Sequence, residues 1–381
     1  MIYLDNSATT KPFPEVIEVM KKFMEDSFYN PAALYAPAAQ NERMIRSAAA
    51  EIANSLYTKD ASVYFTSGGT ESNNWALYGF LSREKGRDTI ITTAMEHPSI
   101  LETVKQLEAE GWSIIILPVN NHGHPDVDKL RAALSPRTAV VSIMQVNNET
   151  GSMPNLQYLS SIVHENAPGA IFHSDGVQGY LRCPINLSET GVDAYSISGH
   201  KIHGPKGCGA LVLRKGISIK PLLFGGGQQH NMRPGTENVP CIAGLREAVR
   251  IYTEQADAYI NSLTSLRTVF LNVLSHKLEN WHCNGGAAPH IISLCIQGIQ
   301  GETLVHSLEQ KDIFLGTGSA CSSVKKKASH ALLAQGVSEK DAQSTVRISL
   351  NPLLTEKDMI LAAEEISLST VYLRKFWRKG G

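Results

Sequence analysis

No apolar run in this sequence approaches the roughly 20 residues a helix needs to cross a bilayer, so a membrane protein is not expected. The opening Met1-Ile2-Tyr3-Leu4-Asp5 lacks the basic start and apolar stretch of a secretory signal, which makes a cytoplasmic location the expectation. An excess of either charge is also missing: 35 Lys and Arg stand against 36 Asp and Glu, a formal net charge of −1. That balance argues against a protein whose main partner is nucleic acid or an anionic membrane, and no direct nucleic-acid contact is expected. The six cysteines, at positions 183, 208, 241, 283, 295 and 321, contain no C-x-x-C pair, so neither a zinc site nor a disulfide framework is suggested. Internal repeats and low-complexity segments are absent as well.

What is present is enough material for two cores. At 381 residues with 43% hydrophobic content, the chain exceeds the size at which a single core keeps growing. Apolar residues spaced on one helical face predict helices over Pro14 to Met24 and Met44 to Tyr57. Short apolar runs at 63–66, 89–92, 113–117, 139–143, 170–175 and 195–198, most of them separated by helical patterns, predict an α/β fold with a mainly parallel sheet between helices. A long helix from Val239 to about Leu278 leads into a smaller α+β lobe with strands at 290–296 and 345–350. This divides the chain into an arm over 1–12 that joins the small domain, a large domain over 13–255 and a small C-terminal domain over 256–381. The basic, aromatic tail Arg374 to Lys379 reads as a solvated end.

The chemistry gathers where strands end, because ligands of parallel sheets bind at the carboxyl ends of the strands. The run Tyr195-Ser196-Ile197-Ser198-Gly199-His200-Lys201 delivers a lysine that can be held as a Schiff base, and the strand before it ends in Asp175, an acid placed to sit under a pyridine nitrogen. Those are the two groups that a pyridoxal 5'-phosphate (PLP) site needs. Ser67 to Asn74, small residues between a strand and a helix start, offers backbone N–H groups to a phosphate, with Ser198 and His200 as further donors. His97 closes a strand just before a helix, where it either caps that helix or lies over a cofactor ring and moves protons. Asn148 and Gln178 carry amides at strand ends, and Arg347 brings a guanidinium shaped to grip a carboxylate through two hydrogen bonds. Cys321 stands apart from the other cysteines, in the small polar loop Gly316 to Ser323.

Seven ordered blocks carry a family resemblance: Tyr3 to Thr10, Ser67 to Asn74, Val146 to Glu149, Ser174 to Gln178, Ser198 to Lys201, Arg233 to Asn238 and Ser319 to Ser322. Essentially end to end, the chain resembles the cysteine desulfurases of the NifS/IscS type. The resemblance implies a fold-type I, class V aminotransferase-like homodimer that converts L-cysteine to L-alanine, keeps the sulfur as a persulfide, and hands it to an acceptor protein for iron–sulfur cluster assembly or tRNA thiolation. Carried over by position, Lys201 anchors PLP, Asp175 pairs with the pyridine nitrogen and His97 stacks on the ring. Asn148 and Gln178 hold the substrate or the phenolic oxygen. Gly69, Thr70, Ser198 and His200 bind the phosphate, Thr236 reaches the phosphate of the neighbouring subunit, Arg347 binds the substrate carboxylate and Cys321 accepts the sulfur. A segment that meets both a cofactor and an acceptor is expected to be mobile over Ser319 to Lys327. The chain departs from the family pattern at Asn351-Pro352 and at Tyr35, which bears on fine substrate geometry and on the choice between sulfur and selenium. Rival readings are a selenocysteine lyase, another class V aminotransferase-like enzyme, or a PLP-fold scaffold for a sulfur-carrier partner.

Overall fold

The computed structural model describes residues 1–81, 86–318 and 328–377. The segment expected to be mobile, Ser319 to Lys327 with Cys321 in it, lies outside the described residues.

A short strand β1 (Ile2–Tyr3) opens the chain, followed by helices α1 (Pro14–Glu25) and α2 (Ala36–Ser55). Strand β2 (Ser62–Thr66) then begins a run of alternating strands and helices: α3 (Gly69–Gly79), β3 (Thr89–Thr93), α4 (Pro98–Ala109), β4 (Ser113–Leu117), α5 (Val127–Ala133), β5 (Thr138–Ser142), α6 (Leu156–Asn166), β6 (Ile171–Asp175), α7 (Leu187–Thr190), β7 (Ala194–Ser198) and β8 (Gly209–Leu213). These seven strands form one sheet in the order β2-β8-β7-β6-β5-β3-β4. Only β8 runs against its neighbours, pairing antiparallel with both β2 and β7. Every residue of β3, β5, β7 and β8 is buried, the signature of strands covered by helices on both faces.

The helix predicted to run from Val239 to about Leu278 is two helices, α8 (Val239–Glu254) and α9 (Ala256–Lys277), broken at Gln255 (φ −115°, ψ 13°). The break lets the two halves serve different cores. Leu245, Val249 and Tyr252 of α8 pack with Val16, Ile52 and Phe172 beneath the large sheet. Leu266, Phe270 and Leu274 of α9 pack instead with strands β10 (Ile291–Ile296) and β12 (Thr345–Ser349). A strand not anticipated, β9 (Trp281–Cys283), completes a three-stranded sheet in the order β12-β10-β9. The rest of this region holds α10 (Gly301–Glu309), β11 (Ile313–Phe314), α11 (His330–Ala334), α12 (Glu339–Gln343) and α13 (Glu356–Trp377).

The N-terminal arm joins the second core. β1 pairs in parallel with β11, and Ile2 and Leu4 are buried there. Tail residue Arg374 is half-buried and its guanidinium donates to the carbonyls of Glu279, Asn280 and Gln297, while Lys375 and Phe376 beyond it are exposed. No helix among the described residues is long and apolar enough to cross a membrane.

Candidate active site

A cavity of about 930 Å³ opens at the carboxyl ends of the parallel strands. Its wall includes Gly69 and Thr70 after β2, His97 after β3, Asn148 after β5 and Asp175 and Gln178 at the end of β6. Ser198 at the end of β7, with His200 and Lys201 just after it, completes that arc, and Arg347 enters from β12 of the second sheet. Ten residues singled out in the sequence are thus brought to one cavity. Thr236 is exposed and outside this wall, and Cys321 lies beyond the described residues.

Lys201 sits at the end of a single 3-10 turn, Gly199–Lys201, that continues β7. Its ammonium donates to the carbonyls of Ser7 (2.6 Å) and Ala8 (2.7 Å) in the N-terminal arm. Burial pushes its pKa down to about 7, helped by the positive charges of Arg182 and Arg347 and opposed by Asp5 and Asp175. An amine with that pKa is substantially neutral, hence nucleophilic, near neutrality.

Asp175 is held on both oxygens. Oδ1 accepts the backbone N–H of Val177 (2.9 Å) and Oδ2 accepts the amide of Asn73 (2.6 Å). The same Asn73 nitrogen also donates to Ser99 Oγ (2.9 Å), which lies 2.8 Å from His97 Nδ1. His97 is the N-cap of α4, with Pro98 at the first helical position where no N–H is needed, and its Nδ1 accepts the N–H of Ser99 (3.1 Å). The helix-capping reading of His97 therefore holds, and the same residue also lines the cavity. Because Nδ1 accepts, Nε2 carries the hydrogen of the neutral ring. Burial keeps that ring neutral by pushing its pKa below the usual histidine value, against the pull of Asp175.

His200 is also pushed down, to about 4, by burial and by Lys201, so it too is a neutral hydrogen-bond group. Arg347 donates Nη2 to Asp5 (2.7 Å) and Nη1 to the carbonyl of Asn148 (3.1 Å), which uses two of its five N–H groups. Asn351 lies outside the cavity wall and donates Nδ2 to Asn6 Oδ1 of the arm at 3.2 Å. Tyr35 is exposed and packs edge-on against Tyr29.

The chain matches the family described as "Aminotransferase class-V" over residues 2–360. It is 39% identical over 363 residues to the "Cysteine desulfurase IscS" of Methanosarcina thermophila, covering 94% of this chain and 89% of that protein. The "Cysteine desulfurase IscS" of Dictyoglomus turgidum is also 39% identical, over 94% of this chain and 91% of its own length. The chain belongs to the aminotransferase class-V family, in its NifS/IscS-type cysteine desulfurase branch. Solved structures agree with a class-V assignment. A "NIFS-LIKE PROTEIN" superposes with a TM-score of 0.90 at 32% identity, over 98% of this chain and all (100%) of the other. A structure titled "SspA in complex with cysteine" superposes with a TM-score of 0.82 at 29% identity, over 93% of this chain and 100% of that one.

Class-V enzymes of this branch use PLP, and the cavity's groups fit that cofactor. At the start of α3, a Cβ on Gly69 would stand 2.5 Å from Val177 Cγ2, so the position admits backbone only, next to helix N–H groups that have no intrahelical partner. Thr70, Ser198 and His200 surround that end with hydroxyl and imidazole donors. Across the cavity stand a buried carboxylate, a flat imidazole and a neutral-capable amine, the set a pyridine aldehyde requires. Several contributors carried little sequence signal. Ser7 and Ala8 act through backbone carbonyls, Asn73 was one small polar residue in a turn of eight, and Arg182 lies behind the wall.

Proposed function

We propose that this protein holds PLP on Lys201 and converts L-cysteine to L-alanine, passing the sulfur to Cys321 as a persulfide. One observation carries the reading: the amine of Lys201, with its pKa lowered to about 7, shares a cavity with Asp175, His97 and Arg347. Bound PLP supplies an electron sink for the carbanion formed when the substrate loses its Cα proton. Asp175, fixed by Asn73 and Val177, stays on the wall as a negative partner for a protonated ring nitrogen. Arg347 offers its free N–H groups to the substrate carboxylate, and Lys201 carries the proton at Cα. His97, with hydrogen on Nε2, faces the same space as a second proton carrier.

The sulfur step balances without an outside oxidant or reductant. The Cys321 thiolate attacks the substrate sulfur, an S–S bond forms and the C–S bond breaks. The electron pair of the broken bond stays on the β-carbon and a proton completes alanine, leaving Cys321 as the persulfide. Thr236, exposed and outside its own chain's cavity, supports a homodimer in which it reaches the partner's phosphate, and Phe224, 89% exposed a short way upstream, supplies apolar surface for that contact. The acceptor of the sulfur is then a protein of iron–sulfur assembly or tRNA thiolation. Borohydride reduction of the PLP-loaded protein tests the anchor. It is expected to leave a pyridoxyl group on Lys201, in a particle of twice the chain mass by sedimentation. A label on another lysine, or a single-chain mass, would contradict the corresponding claim.

A further inference from the structure

Among the described residues, Arg182 is the one cation within the set of largest fully buried side chains, 2% exposed, and it stands outside the cavity wall. After β6 the chain makes consecutive turns, with Tyr180 N–H bonding Gly176 O and Cys183 N–H bonding Gly179 O. Those turns bring Gln178 and Arg182, four residues apart, onto the same side. Arg182 Nη2 donates to Gln178 Oε1 at 2.6 Å, while Nε and Nη1 have no hydrogen-bond partner among the described residues. On the other end of the amide, Gln178 Nε2 donates to Ser7 O at 3.0 Å, the carbonyl that also receives Lys201.

A guanidinium only donates and a peptide carbonyl only accepts, so both contacts demand the same amide orientation. We infer that Arg182 is a positioning residue that locks the Gln178 amide with its oxygen turned away from the cavity, leaving the second N–H of Nε2 as the edge offered to an anionic oxygen of the cofactor. Without Arg182 only the Ser7 carbonyl holds that orientation, and a flip, which would present the amide oxygen and repel an anionic oxygen, becomes less costly. Keeping a buried, partly unpartnered arginine is costly for folding, and an apolar isostere would be tolerated or stabilising. The residue therefore has a use beyond packing. Its positive charge also acts on Lys201, where it is the strongest of the neighbouring charges holding the amine low.

The inference rests on the PLP reading above, and the test separates the two. The dissociation constant of PLP is measured for apoprotein of the wild type, Arg182→Met, Gln178→Leu, the double variant and Arg182→Lys, with melting temperatures as a folding control. Arg182→Met and Gln178→Leu are each expected to weaken PLP binding about tenfold, the loss of one charge-assisted hydrogen bond. Measured at a pH high enough that Lys201 is neutral in every variant, so that the effect of the Arg182 charge on that amine drops out, Arg182→Met added to Gln178→Leu should change the constant by less than about twofold, because the two act as one unit. Arg182→Lys, which keeps a donor at the amide oxygen, should recover most of the affinity. Equal effects of Arg182→Met in both backgrounds, or none in either, with tight wild-type binding, would overturn this inference alone. A wild-type chain that takes up no PLP would overturn the underlying reading and this inference with it.

Discussion

At the scale of single residues the site works by taking charges out of water and letting a few neighbours decide what survives. Lys201 loses its proton near pH 7 inside the protein, far below the ordinary lysine value of 10.5, first because it is buried and then because Arg182 and Arg347 face it. Asp5 and Asp175 pull the other way and lose. His97 and His200, both in the same space, are held neutral by burial. Between about pH 7 and 10.5 the unfolded chain binds a proton at Lys201 that the folded apoprotein does not, so this residue makes stability rise with pH across that window. Melting of the apoprotein against pH should show that rise, and Lys201→Met should remove it; an unchanged profile would mean the amine is not depressed. Lys201 and Asp175 were readable because each ends an apolar strand. Arg182 was not, since an arginine after a turn reads as solvated until the fold buries it.

At the scale of elements, the phosphate end depends on how closely α3 approaches the turn after β6. Gly69 touches Val177 so tightly that a methyl group has no room. Gly69→Ala is expected to push the start of α3 outward and weaken PLP binding about tenfold or more, the equivalent of one to three kcal/mol of overpacking, roughly the usual cost. Equilibrium titration of the apoprotein with PLP checks it, and wild-type affinity in the variant would show that the helix start does not hold the phosphate. Glu71, one residue beyond Thr70, would repel that phosphate if left alone. Arg233 neutralises it through two hydrogen bonds of 2.9 and 3.1 Å, which also tie the block containing Thr236 to the helix start. Strand positions were legible because continuous apolar runs mark them. The break at Gln255 was not, because no proline or glycine announces it; it exists because α8 and α9 face different cores, a fact that belongs to tertiary packing.

At the scale of the whole molecule, the site is assembled from parts far apart in sequence. The arm contributes the Ser7 and Ala8 carbonyls and Asp5, the large sheet contributes the strand ends, and β12 contributes Arg347. The Asp5–Arg347 ion pair and the β1–β11 pairing hold the arm across the cavity. We propose the division into an arm over 1–12, a large domain over 13–255 and a small domain over 256–381 on these two cores and their linking helices; limited proteolysis that cuts first within α8 rather than near Gln255 would argue against it. Such long-range assembly was legible only as a family resemblance in ordered blocks, since no local pattern states that the first ten residues meet the last strand. The most direct measurement is alanine formation from L-cysteine by PLP-loaded wild type and Cys321→Ser in the presence of a thiol reductant. The account predicts alanine and sulfide in equal amounts from the wild type and loss of both from Cys321→Ser, which still holds PLP. Unchanged alanine formation by Cys321→Ser, or none by the wild type, would contradict it.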